Sequence, residues 1–465
     1  MHLAGLITVL LTQACLDHDL VRDGCAPPEL THGPIVGGTS DTTARIWARS
    51  AGRAQLAVEY WAQARPDEVF TSTSATLARA GDFSGVVTIA GLEPLTRYGY
   101  RVLLTPDSCP EEAAAVTAAE ATFRTLPAVG APSSVRFIVA ADVGGPDVPA
   151  FQQMHELGPD FVLMTGDNVY AGGGDRTLEA YRAEYRRVWG GTQFRELFSH
   201  VPVFMIWDDH EIVNDYWRGK NDDVYAVARQ AYDEYQGSHN PDPVHAGELY
   251  YTFAAGQTEV FVLDARTHRS RNNDPDAAGK TMLGSEQKAA LEAWAVSSQA
   301  LVKVIVSSVS FSDFGMTRND SWKGFRSERE ELFAFFSEND VGPVVLITGD
   351  QHWSAVFRYE VASEQGTPYV LYEFMPTPLA FEVGSASTES SVEILARDDD
   401  HLVFGVVDID TSVDVPRIDF TLCAVDETCE PHEHATPATA FDGEGEEETV
   451  PFTVRLSAHD FVYGQ

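Results

Sequence analysis

The chain has 465 residues, of which 44% are hydrophobic, and its 32 basic and 70 acidic residues give a formal net charge of −38. This length and apolar fraction suffice for a large core divided between two or more domains. A nucleic-acid-binding surface and a polybasic anchor for anionic lipid both need clustered Lys and Arg, and no basic run is visible, so the composition excludes both.

Residues 1–24 are predicted to be an export leader and a linker. Their apolar run, Leu3 to Leu11, is too short to span a bilayer and fits the apolar region of a signal peptide. Ala14-Cys15 resembles the cleavage point of a bacterial lipoprotein, with Cys15 as the lipidated residue. We therefore expect an exported protein, which is secreted, periplasmic or anchored by lipid in the cell envelope.

Four further cysteines suit an oxidising compartment, because an even number can pair. Cys423 and Cys429 are close enough in sequence for a local disulfide, and Cys25 with Cys109 would tie the start of the chain to the first domain. Free thiols are the alternative. None of the five cysteines has the CxxC or Cys/His spacing of a zinc site.

Residues 25–130 are predicted to form an all-β domain. ARIWAR and QLAVEYWA alternate apolar and polar residues, as half-buried strands do. Leu92, Pro94, Tyr98 and Tyr100 follow a pattern that resembles the tyrosine corner of fibronectin type III and related sandwiches. There the tyrosine hydroxyl satisfies a nearby backbone group, and we expect the same in this chain.

Residues 131–465 contain short apolar runs that end in polar or charged residues, with helical patterns between several of them. These runs are VRFIVAADVGG, PDFVLMTGDNVY, VPVFMIWDDHE, TEVFVLDAR, LVKVIVSSVSF and PVVLITGDQHW. Continuous apolar runs predict strands that are covered on both faces, and such sheets place function beyond the carboxyl ends of their strands. We therefore expect a layered α/β domain, closed by a β-rich extension from about His401.

Four of these predicted strand ends carry metal-binding side-chain types: ADVGG, GDNVY, WDDHE and GDQHW. An aspartate after a strand often caps a turn, so each end alone is a weak signal. Together, carboxylates, a phenol and imidazoles suit hard or borderline metals, and several carboxylates suit two metals. Bound positive charge would also keep neighbouring carboxylates ionised. The sequence therefore predicts a shared metal site.

The motif order DxG, GDxxY, DDHE and GDxH resembles the calcineurin-like metallophosphoesterase superfamily. Within it, WDDHEIVNDY, LDARTHR and GDQHW resemble the PhoD-like alkaline phosphatase/phosphodiesterase family, HGPIVGGTSDTTARIWAR its N-terminal module, and FGVVDID its closing segment. DVG and GDNVY also resemble purple acid phosphatases, but WDDHE favours the PhoD-like branch. The resemblance implies an N-terminal immunoglobulin-like sandwich and an α/β metallophosphoesterase domain with layers in the order α-β-β-α.

The resemblance also implies two or more metal ions: Fe³⁺ on the side of the tyrosine, and Ca²⁺, or Mn²⁺ or Mg²⁺, on an oxygen-rich side. Where the family often has a cysteine near the first strand end, this chain has AADV, and where the superfamily has a further histidine, VIVSSVSF offers only serines. The first departure puts a hard oxygen ligand, Asp142, where a soft sulfur would bind the first metal, and the second makes the other side rich in oxygen ligands. The six expected metal ligands are Asp142, Asp167, Tyr170, Asp209, Asp350 and His352.

Two residues are expected to act on the substrate. His210 stands at the position of the superfamily's catalytic histidine, and Arg266 could meet a phosphate oxygen bidentately or instead pair with a carboxylate of its own domain. Five residues are expected to support the ligands or bind an additional hard ion such as calcium: Asn168, Asp208, Glu211, Asn214 and Asp215.

The function that the resemblance implies is hydrolysis of a small phosphomonoester or phosphodiester by a metal-activated hydroxide. We expect the protein to act as a monomer. One alternative is a phospholipase D-type phosphodiesterase that acts on lipid headgroups. The other is a catalytically silent, metal-stabilised surface protein, which the retention of His210, GDxxY and GDxH argues against.

Overall fold

The computed structural model describes residues 28–107, 116–117, 120–313, 319–361, 369–384, 392–429, 435–437 and 452–461. The leader, Cys15, Cys25 and Cys109 lie outside these residues, so the lipid site and the Cys25–Cys109 pair stay predictions. Cys423 and Cys429 form a disulfide. Among the described residues, none of the helices combines the length and the apolar character that crossing a membrane requires.

The described part of the chain begins with strands, and its α-helices start after the strand that ends at Ala140. The N-terminal strands are β1 (Leu30–Gly37), β2 (Thr43–Ser50), β3 (Ala54–Ala62), β4 (Phe70–Thr71), β5 (Ala75–Leu77), β6 (Ser84–Ala90), β7 (Arg97–Pro106), β8 (Val116–Thr117) and β9 (Ala121–Arg124). The later strands are β10 (Ser134–Ala140), β11 (Phe161–Met164), β12 (Val203–Met205), β13 (Tyr251–Ala255), β14 (Thr258–Val262), β15 (Val302–Val306), β16 (Val344–Ile347), β17 (Ser354–Val361), β18 (Tyr369–Met375), β19 (Glu393–Asp398), β20 (Val403–Asp410), β21 (Arg417–Ala424), β22 (Ala435–Pro437) and β23 (Phe452–Ser457). The helices are α1 (Ala150–Glu156), α2 (Leu178–Trp189), α3 (Thr192–His200), α4 (Asp222–Tyr235), α5 (Gly284–Ser297) and α6 (Arg326–Glu338).

The N-terminal strands form a β-sandwich. Strands β1, β2 and β6 form one of its sheets, and β3 with β7 and their neighbours forms the other. Their inward side chains, among them Ile46, Val58 and Val102, form a core of their own. The backbone N–H of Glu93 donates to the Tyr98 hydroxyl at 2.9 Å, which confirms the predicted tyrosine contact.

Two larger sheets carry the rest of the described chain. One has the order β22-β23-β21-β20-β10-β11-β12-β1-β2-β6, and the other β13-β14-β15-β16-β18-β17-β19. Strands β10, β11 and β12 run parallel, as do β14, β15 and β16. Gly37 of β1 pairs with Val203 of β12, so one sheet of the sandwich continues the first large sheet. The two predicted domains therefore share a sheet.

Strand β15 shows how the apolar runs pack on both faces. All five of its residues are buried, as a continuous apolar run predicts. Val304 belongs to the core that also holds strands β10–β12 and helices α1–α4. Its neighbour Ile305 belongs to a second core, with Leu291 of α5 and Leu332 of α6. Because successive side chains point to opposite faces, the run separates two apolar layers.

Candidate metal centre

The predicted site residues converge at the carboxyl ends of β10, β11, β12 and β16. Four of the six predicted metal ligands have left-handed backbone conformations, with φ of +57° at Asp142, +51° at Asp167, +75° at Asp350 and +51° at His352. Such conformations are costly for residues other than glycine and concentrate at functional sites. The sharp turns bring these side chains to one place at the edges of two different sheets.

On one side of the site, Asp142 lies between Tyr170 and His352. The Tyr170 hydroxyl is 3.4 Å from Asp142 Oδ1, and His352 Nε2 is 3.5 Å from the same atom. Burial and the nearby Asp142 carboxylate raise the pKa of Tyr170 well above its ordinary value, so a phenolate here needs a cation beside it. Burial opposes the charged form of His352, but its hydrogen bond to Asp142 raises its pKa overall.

In the middle of the site, Asp167, Asp209 and His210 each offer a ligand atom, and these atoms lie within 4.8 Å of one another. Asp209 Oδ1 is buried and has no hydrogen-bond partner in the described part of the chain. Burial raises the pKa of Asp209 to about 8, with contributions from nearby carboxylates. A buried, unpartnered carboxylate oxygen is costly without a cation, so this arrangement fits a bound metal.

Asp350 extends the carboxylates toward the second sheet. Asp208, Asp209 and Asp350 form another group whose ligand atoms lie within 4.8 Å of one another. Burial and the charge of Asp208 raise the pKa of Asp350 well above its ordinary value, although Arg266 opposes this. The donors on this side are carboxylate oxygens, a set that suits hard cations such as Ca²⁺, Mg²⁺ or Mn²⁺.

Arg266 lies inside the protein and not at a surface where phosphate could reach it. Its side chain has no solvent exposure. Nε and Nη2 donate to the two oxygens of Asp208 at 2.6 and 2.5 Å, and Nη1 donates to both oxygens of Asp320 at 3.0 Å. These bonds give the guanidinium to carboxylates of its own domain. They favour the alternative interpretation, and the bidentate contact with phosphate stays a prediction.

Asp208 is accordingly held as a charged partner. Burial alone would raise its pKa, but the charge and hydrogen bonds of Arg266 lower it below its ordinary value. The Ser308 hydroxyl also donates to Asp208. Ser308 belongs to the segment VIVSSVSF, which offers serines where the superfamily has a further histidine. In this structure the serine hydroxyl supports the Asp208 carboxylate.

Glu211 joins two of the strand-end loops. Its carboxylate accepts backbone N–H groups from Asp167 at 3.1 Å, Asn168 at 2.7 Å and Asp208 at 2.9 Å, as well as a side-chain N–H from Gln236. Burial raises its pKa to about 7 despite these hydrogen bonds. Glu211 thus fixes the loops after β11 and β12 relative to each other. Its supporting role for the metal ligands stays a prediction.

The other three predicted supporting residues are Asn168, Asp215 and Asn214, and they have different environments. Asn168 is buried, and its amide donates to the Ile206 carbonyl at 3.1 Å. Asp215 donates its backbone N–H to Asp209, and its side chain joins Asp209 and Asp320 in a third group of possible ligands. Asn214 is exposed, and its carbonyl accepts from the side chain of a nearby lysine.

Sequence reasoning missed Asp320 and Thr377. Asp320 follows no predicted strand, yet it accepts from both Arg266 and Arg269. Thr377 is fully buried, and its hydroxyl donates to Asp142 Oδ2. Neither residue stands in a recognisable motif, and the only local signal is the Pro-Thr-Pro turn around Thr377, which marks a rigid loop without indicating a contact.

Comparisons with known proteins concern the family and the fold of the chain. The family model described as PhoD-like phosphatase matches residues 140–419, and a model for a domain of unknown function, DUF7800, matches residues 27–121. Alkaline phosphatase D of Bacillus subtilis (strain 168) is 25% identical over an alignment of 285 residues, and the match covers 54% of this chain and 48% of that protein. The match thus spans about half the length of this curated relative.

Two solved structures share the fold. A structure of PhoD has a TM-score of 0.66 at 20% identity and covers 86% of this chain and 91% of its own. A purple acid phosphatase from yellow lupin (Lupinus luteus) seeds has a TM-score of 0.59 at 14% identity and covers 92% of this chain and 73% of its own. At these identities the likeness concerns the fold alone.

Proposed function

Since the chain belongs to the PhoD-like phosphatase family, we propose that it is a phosphoric ester hydrolase that acts on small phosphomonoesters or phosphodiesters. The observation that carries this proposal is the group of Asp167, Asp209 and His210, whose ligand atoms lie within 4.8 Å of one another around a buried, unpartnered carboxylate oxygen. That arrangement combines a place for cations with a half-buried imidazole beside it.

The proposed metal ligands are the six predicted residues. Asp142, Tyr170 and His352 would hold Fe³⁺, for which a phenolate is a suitable ligand. Asp209 and Asp350 would hold Ca²⁺, Mn²⁺ or Mg²⁺, with Asp167 between the two sides. Such ions, when bound, polarise phosphoryl oxygens and lower the pKa of water from about 15.7 to about 7.

His210 is the proposed catalytic residue. Its backbone N–H donates to Asp167 Oδ1 at 3.1 Å, and its carbonyl accepts from Ala171 and Gly172, so its position is fixed. Its Nε2 lies 4.0 Å from oxygens of both Asp167 and Asp209, and its side chain is 27% exposed. The imidazole can thus meet a substrate at the carboxylate cluster, where it would stabilise developing charge or protonate the leaving oxygen.

Arg266 has a different proposed role from the one that its motif suggested. Its charge offsets part of the repulsion among Asp208, Asp320 and Asp350, all of which lie within 4 Å of its guanidinium. It would thereby hold the second side of the site in shape for a cation without touching the substrate.

Three broader features accompany this proposal. The sandwich is immunoglobulin-like, and the catalytic part is layered α-β-β-α, which the separate core of α5 and α6 on the outer face of the second sheet supports. The protein is exported, as its N-terminal sequence indicates, and Cys15 is its candidate lipid site. It acts as a monomer.

A panel of chromogenic phosphomonoesters and phosphodiesters tests the proposal. The protein is stripped of metal and assayed after addition of iron, calcium, manganese or zinc, singly and in pairs. We expect turnover that chelation abolishes and that iron with calcium restores best. Release of headgroups from phospholipids with no turnover of small esters would favour the phospholipase D-type alternative, and no turnover of any ester would favour the silent surface protein.

A further inference from the structure

Phe381 is an exposed aromatic side chain beside the candidate metal centre. It lies in the loop that follows β18, and the residue is 36% exposed. The ring stacks on Tyr170, with centroids 4.3 Å apart and planes 8° apart, and it contacts His352 edge-on at 5.1 Å. The Tyr170 ring in turn lies 4.4 Å from the ring of His210. An apolar ring therefore adjoins two predicted metal ligands, one of which contacts His210.

The loop that carries Phe381 is fixed at several points. The Ala380 N–H donates to the Asp142 carbonyl at 3.1 Å, and the Gly384 N–H donates to the His352 carbonyl at 2.6 Å. The ring of Phe381 thus has a defined position relative to Asp142 and His352.

Gly144 allows this close approach of the loop. It has a φ of +65°, and a Cβ added there would come within 3.0 Å of the Ala380 carbonyl oxygen and 3.3 Å of the Phe381 ring. A larger residue at this position would push the loop and its phenylalanine away from the site. The backbone beside Asp142 is therefore compatible with a wall formed by Phe381.

The fixed, partly exposed ring of Phe381 provides an apolar surface beside a group of carboxylates. Carboxylates and imidazoles can hold metal ions, which would bind the phosphate, but they offer no apolar surface to the organic part of an ester. A flat apolar face favours aromatic groups, and a stacked pair contributes a factor of about 2 to 12 in affinity. The chain's net charge of −38 also favours a singly charged diester over a doubly charged monoester.

We infer that Phe381 is a specificity-determining residue, which takes an aromatic or similarly flat apolar ester group of a phosphodiester. This inference rests on the proposed function and names the substrate class of the same site. The ester group stacks on the exposed part of the Phe381 ring while the phosphate lies at the carboxylate cluster beside His210.

Two diesters with one leaving group test this inference: phenyl 4-nitrophenyl phosphate and methyl 4-nitrophenyl phosphate. Both are single anions that release the same phenol, so they differ only in the second ester group. For the metal-loaded wild type, we expect kcat/KM to be about 2- to 12-fold higher for the phenyl ester. Phe381→Ala should bring this ratio close to one, and Phe381→Trp should keep or raise it.

Phe70→Ala is the matched control. Phe70 is 53% exposed on β4 of the sandwich, and its aromatic partner is Tyr60 of the same sheet. It should leave the phenyl-to-methyl ratio as in the wild type. Metal content measured on each variant shows whether the loop still supports His352.

Three outcomes would overturn the inference. Phe381→Ala that retains the full preference for the phenyl ester would show that the ring does not touch the substrate. Equal losses for both esters, with lower metal content, would show that Phe381 only positions Tyr170 and His352. A wild type that turns over the two diesters equally would also contradict it, whereas a wild type that turns over neither these diesters nor any monoester would contradict the proposed function itself.

Discussion

The carboxylate of Asp208 and the guanidinium of Arg266 form a two-point ion pair inside the protein, with Nε–Oδ1 and Nη2–Oδ2 distances of 2.6 and 2.5 Å. The two side chains are 1% and 0% exposed. Arg266 also pairs with Asp320, so its guanidinium links the loop after β12 to a loop beyond β15. In this structure Arg266 is therefore a buried residue whose ion pairs connect the loops of Asp208 and Asp320.

Arg266→Met should therefore weaken the fold and the site together. It leaves Asp208 and Asp320 buried without this partner, and breaking a buried ion pair in this way costs about 3–5 kcal/mol of unfolding free energy. The unfolding free energy from chemical denaturation and the metal content of the purified variant should both fall.

Arg358→Met is the matched control for Arg266→Met, because Arg358 pairs with Glu360 and Glu393 on the second sheet, away from the site's loops, and is 22% exposed. It should change stability by much less and leave metal content intact. If Arg266→Met instead kept its stability and metal and only raised KM, the original prediction of a phosphate contact would be restored.

His210→Ala should remove most of the turnover and leave the metals bound. A positioned acid or base contributes about 10²- to 10⁴-fold to a rate, so kcat should fall by this amount. Metal analysis of the purified variant, next to steady-state kinetics on a phosphodiester, measures both quantities.

His268→Ala is a suitable control for His210→Ala, because the two side chains have the same exposed fraction, 27%, and His268 pairs with Glu248 outside the predicted ligands. It should retain near wild-type kcat. Loss of bound metal in His210→Ala would make His210 a ligand and not a catalytic group.

Much of this site could be predicted from the sequence because its residues follow apolar strands. The carboxyl ends of parallel strands meet at one edge of a sheet, so Asp142 and Asp167 could be grouped without a structure. Asp350 follows β16 of the other sheet, and its GDxH motif was the signal that grouped it with them. Tyr98 could likewise be placed, since its corner depends on a local turn and one backbone group. In each case the information lies within a few residues of the strand end.

The remainder depends on contacts between distant segments. The partners of Arg266 stand 58 and 54 residues away, and Thr377 lies 235 residues from Asp142. No local pattern encodes such pairings. The sequence therefore allowed two interpretations of Arg266, and it gave no indication of a role for Thr377. The pairing of Gly37 with Val203, which joins the two predicted domains in one sheet, was unpredictable for the same reason.

Asp167→Asn should abolish turnover, because the proposal places this carboxylate between both metals. The amide keeps the shape of the side chain but removes its charge, so we expect loss of at least part of the bound metal and a fall in kcat/KM beyond about 10²-fold. Metal content and kinetics at saturating calcium and iron would show whether added ions rescue the variant.

Asp175→Asn provides the comparison for Asp167→Asn, since Asp175 is an exposed aspartate in the loop that follows Tyr170. It should behave as the wild type does. Full turnover by Asp167→Asn would refute the proposed metal scheme.

Thr377→Val should weaken metal binding on the Tyr170 side without unfolding the protein. The change keeps the volume of the side chain but removes the hydroxyl that donates to Asp142, and loss of such a supporting hydrogen bond typically costs about 10- to 100-fold in metal affinity. Metal titration of the stripped protein measures this affinity directly.

Thr421→Val is the control for Thr377→Val. Thr421 is also buried, and its hydroxyl contacts Thr453 at 2.7 Å in the C-terminal strands. It should alter metal affinity by less than about twofold, within the scatter of surface and distant substitutions. Equal affinities for Thr377→Val and the wild type would show that Asp142 needs no support from this loop.

His239→Leu should make the fold less sensitive to acid. His239 is fully buried, both its ring nitrogens lack hydrogen-bond partners in the described residues, and burial, with the charge of Arg45, lowers its pKa from 6.5 to about 3. Below pH 6.5 the unfolded chain takes up a proton that the folded chain refuses until about pH 3. This residue's contribution to stability is therefore complete above pH 6.5 and declines by about 1.4 kcal/mol for each pH unit below it.

Unfolding free energies measured at about pH 7, 6 and 5 should fall less steeply for His239→Leu than for the wild type. The exposed control, His245→Leu, should follow the wild-type slope. Parallel curves for all three proteins would show that His239 does not set the acid limit.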